Sequence, residues 1–174
     1  MPRLLVITLA FLLFPGCAPA QVLPADLRTG HAPLDEKLAK MVTADEHAIS
    51  ASAAKQLTDA VFLDAREPDE YAVSHLPGAR LLGYKSVDWT QVRGVDKDRP
   101  LVVYCTVGYR SERIARQLRE RGFRRVYNLY GSLYAWKLAG FSLEDAQGRA
   151  TEQLHVYNRK WGALVPDRIG EKIY

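Results

Sequence analysis

The stretch Leu101–Ser111 constrains the fold of this 174-residue chain more than any other. Its first four residues are apolar and follow Pro100, which predicts a short buried strand. Gly108 favours a tight turn, and the apolar side chains beyond it recur at helical spacing, which predicts a helix from Ser111. Cys105 therefore lies between the carboxyl end of a strand and the first turn of a helix.

That position gives the Cys105 thiol a particular chemistry. In open parallel sheets, ligands bind at the carboxyl ends of the strands, and the start of a helix offers unpaired backbone N–H groups. Such donors stabilise a thiolate relative to a thiol, and Arg110 adds a permanent positive charge to the same loop. The sequence therefore predicts a site for a sulfur anion. The alternative is an inert buried cysteine, which is common in protein cores.

The rest of the chain alternates between strand and helix patterns. The further expected strands cover residues 48–51, 61–65, 80–83 and 126–129, and the helical stretches cover residues 53–58, 68–73 and 131–140. Strands separated by helical crossovers predict an α/β fold, with a parallel β-sheet flanked by helices on both faces. The length suits one domain with one main core.

Several motifs of the chain resemble, in the same order, those of the rhodanese superfamily of sulfurtransferases. They are L-D-A-R-E-P-D-E-Y (Leu63–Tyr71), S-H-L-P-G-A (Ser74–Ala79), C-T-V-G-Y-R-S from Cys105, G-F-R-R-V-Y-N-L-Y-G-S (Gly122–Ser132) and A-W-K-L-A-G-F (Ala135–Phe141). The loop from Cys105 matches the family pattern C-x-x-G-x-R-S. The resemblance extends roughly over residues 49–141 and implies a rhodanese-like fold.

The resemblance also implies an activity and a set of site residues. Cys105 would be the catalytic nucleophile, and the loop that follows it would bind the substrate through Thr106, Val107, Gly108, Tyr109, Arg110 and Ser111. The expected enzyme is a thiosulfate:cyanide-type sulfurtransferase. It would carry sulfane sulfur as a persulfide on Cys105 and would need no cofactor and no metal.

Two other functions remain open at this stage. The chain could be a non-catalytic sulfur carrier or a partner-binding module, which would become persulfidated without turning over thiosulfate. A phosphatase or arsenate reductase is another alternative, because such enzymes share the fold. Their loop has five residues between cysteine and arginine, whereas four residues separate Cys105 from Arg110.

Residues 1–20 carry the pattern of a signal peptide. Arg3 is followed by an apolar run over residues 4–14 that is too short to span a membrane, and small residues come next. Cleavage after Ala20 would release a soluble protein, whereas Gly16-Cys17 resembles the end of a lipoprotein signal and would place a lipid on Cys17. Either route predicts an exported, periplasmic protein.

Three further segments are expected after the signal peptide. They are a lead-in over residues 21–47, the rhodanese-like domain over residues 48–141, and a C-terminal extension over residues 142–174. In the extension, Leu154, Tyr157, Trp161 and Leu164 recur at helical intervals, which predicts a helix packed on the domain. The alternative is an exposed aromatic stripe that binds a partner.

Composition and charge limit the classes of binding partner that we expect for this chain. The net charge is a mild +4, and no segment interleaves basic and aromatic residues as nucleic-acid modules do. The expected partners are a small anionic sulfur donor and a thiol or protein acceptor, with membrane contact only through a lipid on Cys17. His31 and His47 have no companions at metal-ligand spacing, so we expect no metal site.

Some residues of the family motifs are expected to be structural. Asp64 and Arg66 would join loops through an ion pair, and His75 would belong to a turn. Ser132 stands where the family usually has a second glycine. If that position needs a positive φ, serine would cost about 1 kcal/mol or more without touching the chemistry.

Overall fold

The computed structural model describes residues 23–174. The predicted signal peptide, including Cys17 and both processing routes, lies outside the described residues. The strands are β1 (Ala48–Ile49), β2 (Val61–Asp64), β3 (Arg80–Leu81), β4 (Leu101–Tyr104), β5 (Val126–Leu129), β6 (Leu143–Glu144), β7 (Ala150–Thr151), β8 (Gln153–His155) and β9 (Glu171–Ile173). The α-helices are α1 (Ala32–Leu38), α2 (Ala51–Gln56), α3 (Pro68–Val73), α4 (Tyr109–Glu120), α5 (Ser132–Leu138) and α6 (Arg159–Gly162).

The central sheet has five strands in the order β1-β5-β4-β2-β3, and every pair in it is parallel. β4 lies in the middle and is buried along its whole length. Its side chains alternate between the two faces: Leu101 and Val103 join one hydrophobic cluster, and Val102 and Tyr104 join the other. This buried apolar run is what a central parallel strand requires.

Helices cover both faces of the sheet, so the predicted α/β architecture is confirmed. On one face, α4 packs Ile114, Ala115 and Leu118 into the cluster that contains Val103. The helices α1, α2 and α5 contribute to the cluster on the opposite face. The expected pattern after Ser111 was correct in kind, although α4 begins two residues earlier, at Tyr109.

The carboxyl ends of β2 and β4 mark the point where the chain changes direction across the sheet. From β2 the chain crosses to β3 at one edge, and from β4 it crosses to β5 in the opposite direction. In open α/β sheets such a reversal leaves a crevice between two loops, which is the usual place for a ligand. Cys105 follows β4 directly and therefore lies at this crevice.

The C-terminal extension does not form the predicted helix. It contains the antiparallel pair β6–β7 and the parallel pair β8–β9, with the short helix α6 and a 3-10 turn (Asp167–Ile169) between β8 and β9. Tyr157 has φ +66°, a left-handed conformation that no α-helix can continue through. The helical spacing of its apolar residues was therefore a coincidence of sequence.

The extension nevertheless shares the main core of the domain. Its buried side chains join the same cluster as Trp136 of α5; they are Leu143, Leu154, Val156, Val165 and Ile169. Strand β8 also lies against α3. Among residues 23–174, the helices are all too short or too polar to cross a bilayer.

Candidate active site

The Cys105 thiol lies at the start of the loop between β4 and α4. Only 1% of the residue is exposed, and its Sγ accepts a hydrogen bond of 3.1 Å from the backbone N–H of Gly108. Gly108 has φ +117°, and a Cβ there would lie 3.3 Å from the methyl carbons of Val42. A glycine is therefore required for the loop to turn its amide toward the sulfur.

Burial and the surrounding charges and hydrogen bonds shift the pKa of the Cys105 thiol in opposite directions. Burial alone raises the pKa of Cys105, but the Arg110 guanidinium and the backbone N–H groups of Ser111 and Gly108 outweigh it. The pKa of the Cys105 thiol is consequently lower than its ordinary value. The site therefore favours a thiolate, although it is almost completely screened from solvent.

Replacing Arg110 by glutamine should raise the pKa of Cys105, because it removes the main positive charge that stabilises the thiolate. The pH dependence of Cys105 alkylation by iodoacetamide measures this. In the native chain the rate should stay high to lower pH than for an ordinary cysteine with a pKa of about 8.5. In Arg110→Gln the midpoint should move to higher pH. Arg110→Lys keeps the charge and is the matched control, with a smaller shift; equal midpoints in all three proteins would refute this origin of the low pKa.

Arg110 is held by a carboxylate from another helix. Its two terminal nitrogens donate to Glu70 of α3 at 2.6 and 2.7 Å, which is a bidentate ion pair. Burial raises the pKa of Glu70, but the Arg110 hydrogen bonds and charge hold it below its ordinary value. This ion pair ties the Cys105 loop to α3.

Glu70 is a site residue that sequence reasoning missed. It lies within the Leu63–Tyr71 motif, but forty positions separate it from Arg110, so no local pattern connected them. The pKa of the Glu70 carboxylate is lower in the folded protein than its ordinary value. The stability that the ionised carboxylate contributes is therefore fully present above the unfolded-state pKa, and it is lost as the pH falls through the folded-state pKa. We expect the loop to loosen in acid before the sheet does.

The remaining loop residues take different positions. Thr106 is buried, and its Oγ1 accepts a hydrogen bond of 3.2 Å from Arg110. Val107 packs into the core, and the Ser111 hydroxyl donates to Oδ1 of Asn128 at 2.7 Å. Tyr109 is exposed. The predicted loop thus combines groups that face the sulfur with groups that fix the loop from behind.

Ser132 contacts the loop from the start of α5. Its Oγ accepts a hydrogen bond of 3.1 Å from the backbone N–H of Cys105 and donates to the carbonyl of Leu129 at 3.0 Å. Its φ is +47°, so the strain foreseen for serine at this position is present. Sequence reasoning did not foresee this contact, in which the Ser132 hydroxyl accepts the backbone N–H of Cys105.

Two substitutions separate the strain at Ser132 from its hydrogen bonds. Ser132→Ala and Ser132→Gly both leave the Cys105 N–H without its partner, but only glycine relieves the left-handed backbone. The glycine variant should therefore be the more stable of the two by about 1–2 kcal/mol in urea denaturation. Equal stabilities would mean that the left-handed conformation is not strained in the folded protein.

Asp64 and Arg66 form the expected structural ion pair. Both side chains are 0% exposed, and the Arg66 guanidinium donates to the Asp64 carboxylate through Nε and one terminal nitrogen. The same terminal nitrogen also reaches the carbonyl of Ser74. His75 stacks on Tyr71 within the turn, as expected. These residues connect the segments that follow β2 and α3, and they do not contact the Cys105 sulfur.

A cavity of about 310 Å³ opens above Cys105. Its walls are largely aromatic and apolar and come from four parts of the chain: Met41 of the lead-in, Tyr84, Tyr109 of α4, and Tyr157 and Trp161 of the extension. Lys85, Glu67 and Arg110 add polar groups. Within residues 23–174, no cluster of three or more His, Cys, Asp or Glu side chains has metal-binding geometry.

Comparisons with known proteins agree with this geometry. The model of the family described as "Rhodanese-like domain" matches residues 34–139, beginning inside the predicted lead-in. The thiosulfate sulfurtransferase GlpE of Pseudomonas fluorescens is 38% identical over 89 residues, which cover 51% of this chain and 80% of the relative. GlpE of Ectopseudomonas mendocina is 37% identical over 102 residues, covering 58% and 92% respectively.

Solved structures show the same fold. A rhodanese-like domain from Anabaena sp. aligns with a TM-score of 0.53 and 25% identity, over 58% of this chain and 80% of that one. A thiosulfate sulfurtransferase from Pseudomonas aeruginosa aligns with a TM-score of 0.53 and 25% identity, over 71% of this chain and 24% of that one.

Proposed function

The chain belongs to the rhodanese-like domain family, and on that premise we propose that it transfers sulfane sulfur from an anionic donor such as thiosulfate to a thiophilic acceptor. One observation carries the proposal: the Cys105 sulfur accepts the Gly108 N–H, has a lowered pKa and forms the floor of an open cavity. The named relatives are thiosulfate sulfurtransferases, which supports the same donor.

The first half-reaction loads the enzyme. The Cys105 thiolate attacks the outer sulfur of thiosulfate, a new S–S bond forms, and the original S–S bond breaks as its electron pair leaves with sulfite. The product is a persulfide anion on Cys105. The proposed mechanism uses no general base, because Arg110 and the backbone amides lower the pKa of the Cys105 thiol and so favour its ionised form. The Gly108 and Ser111 amides would then stabilise the persulfide anion.

The second half-reaction transfers the outer sulfur of the Cys105 persulfide to the acceptor. A thiol or cyanide attacks the outer sulfur of the persulfide, and the electron pair of the breaking S–S bond returns to Cys105 as a thiolate. With a thiol acceptor, the thiol proton ends on the terminal sulfur of the product persulfide. The sequence is a ping-pong mechanism, because the donor product leaves before the acceptor reacts.

The decisive experiment is mass spectrometry of the protein after incubation with thiosulfate, with steady-state rates measured alongside. A transferase gains the mass of one sulfur atom on Cys105 and turns over thiosulfate with cyanide or a thiol. A carrier gains the same mass but turns over poorly. If no sulfur is added to Cys105, the proposed function is wrong.

A phosphatase is the enzymatic competitor that this experiment should include. Arg110 is engaged by Glu70 and the loop is one residue shorter than C-x5-R, both of which disfavour binding of a tetrahedral phosphate. p-Nitrophenyl phosphate tested beside thiosulfate should therefore give no hydrolysis above background.

We also propose that the protein works outside the inner membrane. Support comes from the sequence pattern of residues 1–20 alone. The mass of the mature protein from native cells discriminates the routes: a start at Gln21 indicates a soluble form, and a lipidated Cys17 indicates an anchored one. A cytoplasmic protein that retains Met1 would contradict export.

A further inference from the structure

The C-terminal extension supplies one wall of the cavity above Cys105. Tyr157 and Trp161 both line it, although the family model matches only residues 34–139. This part of the site therefore belongs to the chain's own extension and not to the matched family core. Substrate selectivity that depends on this wall can therefore differ from that of the chain's relatives.

Local structure fixes the backbone that carries both aromatic side chains. The Asn158 side chain accepts the Trp161 N–H at 3.1 Å and so caps α6. The Tyr157 N–H lies 3.2 Å from Nδ1 of His155, and the Tyr157 backbone is left-handed. Leu154 and Val156 anchor the same segment in the core. The wall is therefore a built surface and not a loose tail.

Tyr157 is placed where a ligand would cover it. The residue is 57% exposed although Val156 beside it is fully buried. Its ring lies 5.6 Å from the Arg110 guanidinium, at the opening of the cavity. An aromatic ring held in solvent beside a reactive sulfur gains its burial only when a substrate with apolar surface binds.

The charges around the cavity are balanced, so they do not select strongly for an anion. The Arg110 charge is paired with Glu70, and Lys85 lies beside Glu67, whose carboxylate accepts the Lys85 backbone N–H at 3.3 Å. The remaining walls are largely aromatic and apolar. At about 310 Å³, the cavity lies at the lower end of sites that hold organic ligands, about 300–1,000 Å³.

From this arrangement we propose that the extension makes the protein selective for acceptor thiols that carry an apolar, ring-sized group, which packs between Tyr157 and Trp161 while the thiol sulfur reaches the Cys105 persulfide. The inference rests on the proposed sulfur transfer and names the acceptor class for it. The reaction is the second half-reaction above: the acceptor sulfur attacks the outer sulfur, the S–S bond to Cys105 breaks, and the Cys105 thiolate is regenerated.

The test compares two acceptors of similar acidity, benzyl mercaptan and 2-mercaptoethanol, at saturating thiosulfate. The native protein should show a kcat/KM for benzyl mercaptan higher by about 10-fold or more, expressed mainly in KM. Tyr157→Ala and Trp161→Ala should each reduce that ratio several-fold. Tyr174→Ala is the matched control, because Tyr174 is an equally exposed tyrosine of the extension (56%) that contacts Arg159 and does not line the cavity.

The outcomes separate the two proposals. If the native protein never gains sulfur on Cys105, the proposed function fails. If it gains sulfur and uses both thiols equally, or if Tyr174→Ala lowers the ratio as much as Tyr157→Ala does, sulfur transfer stands and the acceptor selectivity is refuted. Tyr157 is mostly exposed, so its truncation leaves the core intact, and circular dichroism verifies that the variants are folded.

Discussion

Replacing Cys105 by serine should abolish sulfur transfer, with a loss in kcat on the order of 10⁴-fold or more. Cys105 is the one cysteine within residues 23–174, and in the proposed mechanism its sulfur forms the bond that carries the transferred atom. A serine hydroxyl is not ionised near neutral pH and forms no persulfide. Steady-state assay with thiosulfate and cyanide measures the loss, and mass spectrometry should show no sulfur adduct.

The serine variant should keep its fold, since oxygen replaces sulfur in the same small side chain and can still accept the Gly108 N–H. Its circular dichroism spectrum and urea midpoint serve as the control. Normal turnover in a folded Cys105→Ser protein would show that another group carries the sulfur.

Replacing Asp64 by alanine should lower the free energy of unfolding by about 3–5 kcal/mol, the largest stability effect expected of the proposed substitutions. The substitution leaves the Arg66 guanidinium, which is 0% exposed, without the one carboxylate that pairs with it among residues 23–174. A buried charge without a partner cannot recover its lost hydration. The loss is a large part of the 5–15 kcal/mol typical of a domain, and urea denaturation of both proteins measures it.

A double variant identifies the cause. Asp64→Leu combined with Arg66→Met removes both charges and should recover part of the lost stability, because no unpaired charge then remains. If the double variant is as unstable as Asp64→Ala, the loss comes from packing and hydrogen bonds to the loops and not from an uncompensated guanidinium.

The features that the sequence predicted are those with a local signal. The strand–loop–helix around Cys105 could be recognised because its apolar run, its turn glycine and its helical spacing follow one another along the chain. Helix α1 carries a local signal of the same kind: Leu34 and Leu38 are four residues apart, and both are buried in the core.

The features that were missed depend on distant contacts or on backbone conformation. Glu70 meets Arg110, and Ser132 meets the Cys105 amide, only after the sheet brings three helices together. In the extension, the apolar spacing suggested a helix because nothing in the sequence revealed the left-handed backbone of Tyr157. The aromatic wall beside the nucleophile was therefore unforeseen.

The near-complete burial of Cys105 limits how another macromolecule can take part. A flat, rigid protein surface pressed against this crevice would not reach a sulfur whose residue is only 1% exposed. A protein recipient must therefore present its cysteine on a narrow projecting arm or an unstructured tail that threads inward. The burial of Cys105 thus restricts the shape of a sulfur acceptor as well as its reactivity.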